Sequence, residues 1–260
     1  MARVCPLFSG STGNSYYIGS RGAGLLIDAG RSARQVDNML KRCGIDPLAV
    51  QGILITHEHS DHIAGVRVFA KRYGIPVFAS QGTLLAMRSS LEGVESWVLD
   101  GPFQLAGMEV TPFETPHDSA QSLGFRIQTA DGRQFAFATD LGVVTPCVRD
   151  HLLGAEFVVI ESNHDREMLR NGPYPAYLKR RILGGTGHLS NSDCAALLPE
   201  LARRGAKRFL LAHLSRENNT PSLAREAALS ALTAAGYQEG SGFWLEVAPV
   251  ENREGRTIIF

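Results

Sequence analysis

The sequence carries no excess of charge of either sign: 26 Lys and Arg face 26 Asp and Glu over 260 residues. That excludes a protein coated in positive charge for nucleic acid on all sides, and leaves room for a local basic face. Cysteine is scarce. Cys5, Cys43, Cys147 and Cys194 include no C-x-x-C pair, which excludes a zinc knuckle and a thioredoxin motif. So low a density argues against a disulfide framework and for buried thiols in a reducing cytosol. No run approaches the ~18 apolar residues of a membrane span, and "MARVCPLFSGSTGNS" lacks an apolar signal core with a cleavage site. Low-complexity segments, repeats and long Pro/Ser linkers are missing too. These absences predict a cytoplasmic protein with no membrane partner. The chain is long enough for a sizeable core, and no boundary forces a division, so residues 1–260 are expected to form one domain.

What is present is alternation. "SYYIGS", "GLLIDAG", "GILIT", "IPVFAS", "AEFVVIES" and "KRFLLAHLS" read as strands. "SARQVDNMLKRCG", "HIAGVRVFAKRYG", "QGTLLAMRSSL", "NSDCAALLPELARRG" and "TPSLAREAALSALTAAG" read as helices. The first has capping-box spacing at Ser32 and Gln35, and the last has Thr220 at the N-cap and Pro221 at N1. The middle is strand-rich: "MEVTPFETP", "SLGFRIQTA" and "RQFAFATD", with Asp131-Gly132 as a two-residue hairpin turn between the last two. "FWLEVAPV" and "RTIIF" close the chain. Interleaved strands and helices predict an α/β fold, sheets with helices packed outside.

The densest chemistry is "ITHEHSDH", residues 55–62, directly after an apolar run. His57 and His59, two apart at a strand end, share one face and can reach one ion. Asp61 and His62 follow as the chain turns into a helix and can reach a second. Imidazole with carboxylate suits zinc, manganese or iron better than magnesium or calcium. Four residues do not complete two sites. Asp28, His117, Asp140 and His213 are further candidates, each close after an apolar run, where strand ends gather at one sheet edge. A lone histidine at such a place is more often a structural hydrogen-bonding group, and His151, in a helical stretch, reads that way. His-x-His-x-Asp-His does not.

"THEHSDH" resembles the signature of the metallo-β-lactamase superfamily, and the other motifs of that superfamily occur in order: Asp28 in "LIDAG", His117, Asp140 in "TDLG" and His213 in "LAHLS". The resemblance implies an αβ/βα sandwich, two β-sheets packed together with helices on the outer faces. It implies two divalent ions, manganese or zinc with iron as an alternative. His57, His59 and His117 would hold one, Asp61, His62 and His213 the other, with Asp140 bridging and Asp28 orienting the cluster. Two such ions suit hydrolysis through a bridging hydroxide, but the fold leaves the substrate open among lactams, thioesters, lactones and phosphodiesters.

Details narrow it. There is Asp140 where many class B β-lactamases use cysteine. "ETPHDSAQSLGF" stands in place of the "GHTPGH" usual in glyoxalase-II-like thioesterases, and is closer to the third motif of tRNase Z and related nucleases. By the same likeness Glu161 in "VVIESNHD" would orient His188 in "GTGHLSNSD". His188 would then bind the scissile phosphate or protonate the leaving oxygen, and Asp61 would serve catalysis as well as metal. Ser190 or Asn191 would cap the following helix, whose free N–H groups make a phosphate seat; plain capping is the competing reading.

Between Ser162 and Arg216 ten Lys or Arg face four Asp or Glu, in a chain neutral overall. The stretch includes "GPYPAYLKRRILGG", where Tyr174 and Tyr177 interleave with Lys179, Arg180 and Arg181. Aromatics among cations suit stacking on bases and contact with phosphates; a solvated helix face is the bland alternative. Only 73 positions separate Asp140 from His213 and 23 separate His117 from Asp140, which leaves no room for a β-CASP insertion or a long tRNA-gripping arm. "LFSGSTGNSYYI", "THEHSDHIAG", "TPHDSAQSLGF", "GPYPAYLKRRILGGTGHLSN" and "LAHLSRENNTP" are similar to hallmark stretches of the YycJ/WalJ family. That similarity implies a dinuclear metal-dependent phosphodiesterase, a 5′-to-3′ DNA exonuclease whose partner is DNA with a 5′ end. A small-molecule hydrolase (thioesterase or cyclic phosphodiesterase), an RNA-processing nuclease and a non-catalytic binding module are the alternatives. Ser9, Gly10, Ser11, Gly13 and Asn14 would form a turn near the metal edge.

Overall fold

The computed structural model describes residues 1–20 and 22–260. The first part of the chain lays down strands β1 (Arg3–Phe8), β2 (Ser15–Ser20), β3 (Ala23–Ile27), β4 (Val50–Leu54), β5 (Val77–Ala79) and β6 (Ser96–Val98). A second sheet follows in β7 (Phe103–Leu105), β8 (Met108–Glu114), β9 (Leu123–Gln128), β10 (Gln134–Ala138), β11 (Phe157–Glu161), β12 (Arg208–Ala212) and β13 (Trp244–Val247). Strand β14 (Ile258–Ile259) then returns to the first sheet beside β1, so each sheet has seven strands. The runs β3 to β6 and β10 to β13 are parallel, and the hairpins β1–β2–β3 and β7 to β10 are antiparallel.

Parallel neighbours need crossovers, and helices supply them. Helix α1 (Ala33–Arg42) joins β3 to β4; α2 (Ser60–Ile63) and α3 (Val66–Tyr73) join β4 to β5; α4 (Gln81–Met87) precedes β6. In the second sheet α5 (Pro146–Leu152) precedes β11, while α6 (Arg166–Asn171), α7 (Ala176–Leu183) and α8 (Asn191–Arg203) precede β12, and α9 (Pro221–Ala234) precedes β13.

Side-chain alternation divides the interior into three apolar layers. Phe135 and Phe137 of β10, Phe157 and Val159 of β11, and Leu210 of β12 face the layer between the sheets, together with Leu25 and Ile27 of β3. Their neighbours Ala136, Ala138, Val158, Ile160 and Leu211 face α5, α8 and α9 instead. Leu26 faces the layer under α1 and α3. Helix, sheet, sheet, helix is the αβ/βα sandwich expected from the motifs.

Ser32 and Gln35 form the expected capping box on α1, and Thr220 caps α9 ahead of Pro221. Two local expectations change. The helix read through "HIAGVRVFAKRYG" breaks between α2 and α3, because Gly65 lies against the backbone of Arg31 and a Cβ there would sit 2.1 Å from the Arg31 carbonyl oxygen. The β9–β10 hairpin forms, but Thr129 and Arg133 still pair (N to O 2.9 Å) and Gly132 takes φ 82°. The loop therefore has three residues with glycine in the left-handed place, not two.

Candidate metal centre

Both sheets deliver their chemistry to one edge, at the C-terminal ends of the parallel strands. Asp28 follows β3, His57 and His59 follow β4, Asp140 follows β10, Glu161 ends β11, and His213 follows β12. Asp28, Asp140 and His213 all adopt positive φ, 60°, 58° and 53°. Left-handed backbone is costly outside glycine, so three such residues at one edge mark a place where side-chain direction is bought with strain. Strand β4 stops at Leu54, so strand alternation does not align His57 with His59. His59 is instead the N-cap residue of α2, and the first turn of that helix carries Asp61 and His62.

Potential ligand atoms of His57, His59 and His117 lie within 4.8 Å of one another. The same holds for Asp61, His62 and His213, and for His57, His62 and Asp140. Asp140 lies between the groups, with Oδ2 3.5 Å from His62 Nε2 and Oδ1 3.9 Å from His117 Nε2. His57 Nε2, His117 Nε2 and Asp140 Oδ2 are buried without a hydrogen-bond partner among the described residues. Buried polar atoms are rarely orphaned. Three of them converging on neighbouring imidazoles and a carboxylate is the donor set of divalent transition-metal ions.

The outward nitrogens are fixed from behind. His62 Nδ1 lies 2.7 Å from Asp28 Oδ2, which also accepts from Thr56 Oγ1. His117 Nδ1 donates to the Gly187 carbonyl at 3.1 Å, leaving Nε2 as its lone-pair atom. Glu161 is fully buried and has four partners. Oε1 is 2.9 Å from Nδ1 of both His188 and His213, and Oε2 accepts from the backbone N–H of Leu141 and Leu189. Burial alone would raise its pKa; the His188 and His213 imidazoles overcome that and bring it down to about 2. Burial would likewise neutralise His62, yet the Asp140 and Asp28 carboxylates raise it to about 9. Asp140 and Glu161 hold His213 well above the usual histidine value against its own burial. His57, buried among imidazoles, falls well below it.

A cavity of about 270 Å³ opens over this cluster. His59, Asp61, His117, Asp140, His188 and His213 line it on one side. Tyr174, just before α7, and Leu178, Arg181 and Ile182 of α7 also line it, with Ser11 and Ser215. Arg181 makes a two-pronged ion pair with Asp118, the residue after His117.

Residues 24–214 match the beta-lactamase superfamily domain. The chain belongs to the metallo-β-lactamase superfamily. It is 38% identical over 242 residues to "Exodeoxyribonuclease YycJ" of Bacillus anthracis, covering 91% of each chain. It is 36% identical over 244 residues to "Exodeoxyribonuclease WalJ" of Streptococcus pneumoniae, covering 91% of this chain and 90% of the relative. Within the superfamily it therefore sits in the YycJ/WalJ family. In fold it is similar to the metallo-β-lactamase fold protein YhfI of Bacillus subtilis, with a TM-score of 0.74 and 15% identity over 99% of this chain and 98% of that one.

Against that metallo-β-lactamase frame, the basic-aromatic stretch divides. Tyr174 and Arg181 face the cleft. Tyr177 is 69% exposed, Lys179 donates to the Arg170 carbonyl, and neither these two nor Arg180 lines the cavity. Helical periodicity accounts for the residues inside α7: Leu178, Arg181 and Ile182, three and four apart, share the cleft face, and Tyr177, Lys179 and Arg180 fall off it, while Tyr174 reaches the cleft from the bend before the helix. Ser190 and Asn191 do not line the cavity either. Ser190 is 2% exposed and caps α8 by accepting from Asp193 N–H, and Asn191 is buried in bonds with Ser162 and Asn219. Arg166 pairs with Asp193 in the first turn of α8. Ser190 thus caps α8, with Arg166 and Asp193 beside it.

Asn14 and Ser9, expected only as part of a turn near the metal edge, and Glu58 make contacts that were not assigned from sequence. Asn14 Nδ2 is 3.3 Å from Asp61 Oδ2 and 3.1 Å from His62 Nε2, and its backbone N–H donates to the Asp61 carbonyl. Ser9 Oγ accepts from the His213 backbone N–H. Glu58 accepts from Ala120 N–H at 2.7 Å and so pins the loop bearing His117. Only long-range packing reveals these roles; no local spacing encodes them. His164, three residues after Glu161, is buried with both ring nitrogens unpartnered, and burial brings it down to about 4. It does not line the cleft.

No helix among the described residues is long and apolar enough to cross a membrane.

Proposed function

We propose that this protein is a metal-dependent exodeoxyribonuclease that degrades DNA from a 5′ end, 5′ to 3′, in the cytoplasm and through one domain spanning residues 1–260. The observation that carries the reading is a shared cavity: His59, Asp61, His117, Asp140 and His213 of the metal-ligand cluster, His188, Tyr174, and Arg181 of α7 all line the same cleft. The two relatives named as exodeoxyribonucleases support it, and four free cysteines are in keeping with a reducing compartment.

In this reading His57, His59 and His117 hold one divalent ion, and Asp61, His62 and His213 a second, with Asp140 reaching both. Manganese or zinc suits the set, with iron as an alternative. Such ions, when bound, supply an activated water and offset the charge that builds on the phosphoryl group. Asp28 and Glu161 orient the imidazoles that do the holding. Arg181, steadied by Asp118, presents positive charge at the mouth for a phosphate, and Tyr174 with Leu178 offers a wall for a base. His188 is tied through Nδ1 to Glu161 and has Nε2 for the leaving oxygen, to which it passes a proton as the phosphorus–oxygen bond breaks.

The test is end-labelled single- and double-stranded DNA and RNA with Mn(II) or Zn(II), wild type against Asp61→Ala. Progressive shortening from the 5′ end of DNA, lost in Asp61→Ala, is expected. Intact DNA beside turnover of a thioester or cyclic phosphodiester would move the protein to the small-molecule hydrolases. Preferential loss of RNA would move it to RNA processing.

A further inference from the structure

A second cavity, of about 310 Å³, adjoins the metal cleft, and Ser215 lines both. The turn at residues 9–11 borders both as well, with Ser11 on the metal cleft and Ser9 on its neighbour. The wall of the second cavity differs in kind. Leu214, Val247, Ala248, Pro249 and Val250 make it largely apolar, with Val250 42% exposed. Arg216 is the one charged side chain lining it, and it is exposed with no ion pair among the described residues. Pro221, the first residue of α9, lies at the rim, so the positive end of that 14-residue helix is close by.

We propose that this cavity is a subsite for a further nucleotide of the DNA strand whose scissile phosphate sits at the metal centre. The inference rests on the nuclease reading above. A strand leaving the cleft past Ser215 meets an apolar wall for sugar and base, and an unpaired guanidinium for phosphate. Continuity with the metal cleft and the sign of the lone charge single out this occupant. A free apolar molecule has no use for Arg216, and a compact small-molecule substrate has no use for a cavity beyond the reacting centre. The backbone that carries the subsite is held firmly. Ser215 N–H donates to the Asn163 carbonyl at 2.7 Å, Ser215 Oγ accepts from Asn218 N–H at 3.1 Å, and Asn219 Nδ2 donates to the Ser162 and Asn163 carbonyls.

The experiment compares wild type, Arg216→Glu and Val250→Asp on single-stranded DNA from a dinucleotide to a decanucleotide. Bis(4-nitrophenyl) phosphate, which reaches only the metal cleft, is the second substrate. Wild-type KM should step down at the length that fills the subsite. Both variants should remove that step and raise KM on the longer strands about tenfold, with hydrolysis of the aryl ester held within about twofold. Variants that keep the step in KM overturn the subsite while leaving the nuclease reading intact, and so does an equal loss on DNA and aryl ester. A wild type that hydrolyses the aryl ester and leaves every DNA untouched overturns the nuclease reading itself, and the subsite with it.

Discussion

Asp28 Oδ2 lies 2.7 Å from His62 Nδ1, and both side chains are removed from solvent. The carboxylate fixes which nitrogen of His62 faces Asp61 and Asp140. Asp28→Asn keeps the volume but places an amide where Thr56 N–H and Oγ1 and His62 all donate. Metal affinity should fall about 10–100-fold, read by competition with a chromophoric chelator. An unchanged affinity would show that His62 needs no such partner.

His188 and Glu161 should separate cleanly. His188 has one hydrogen-bonded carboxylate partner and an edge on the cleft, so His188→Ala should cut turnover by about 10²–10⁴-fold while metal content by atomic emission stays at the wild-type level. Glu161→Gln should lose metal as well as turnover, because the same oxygen that holds His188 also holds His213. If both variants kept full metal content, Glu161 would be serving His188 alone, as sequence reasoning had it.

Glu161 marks how far the sequence could be read. His57, His59, Asp61 and His62 were legible because their spacing is dense and local, and strands such as β3 and β11 were legible because both their faces are buried, which the exposed β6 lacks. Asp28, Asp140 and His213 stood out by their places after apolar runs and took their roles from the superfamily resemblance, and their shared left-handed backbone is invisible in one dimension. Glu161's second partner was not legible, since His213 is 52 residues away. The break at Gly65 depends on an approach to Arg31 across 34 positions, and nothing in "HIAGVRVFAKRYG" announces it.

Protons should compete with metal. In the metal-free protein His62 titrates at about 9 and His213 well above its ordinary value, each held charged by buried carboxylates. A raised folded-state pKa stabilises fully below the unfolded value of 6.5, and that stabilisation drains away as pH climbs through the folded one. Glu161 at about 2, and Asp140 well below 3.8, stay ionised throughout. Metal-free protein should therefore lose thermal stability from pH 6.5 toward pH 9, while metal uptake releases protons and tightens over the same window. Calorimetry in two buffers of different ionisation enthalpy counts those protons. A metal affinity independent of pH between 6.5 and 9 would mean that both imidazoles are already neutral.

Tyr174 and Tyr177 differ by three residues and by the face they occupy. Tyr174, in the bend before α7, lines the cleft with Arg181, whereas Tyr177 is 69% exposed on α7 itself. If a base stacks on Tyr174, removing the ring forfeits about 1–3 kcal/mol, so Tyr174→Ala should raise KM for single-stranded DNA roughly tenfold or more. Tyr174→Phe should restore most of it, because the face of the ring and not its hydroxyl does the stacking. Tyr177→Ala should match wild type. Steady-state kinetics on one labelled oligonucleotide measures all three. Equal defects in the two alanine variants would mean that the strand runs over the outer face of α7 and that the cleft wall is not what it reads.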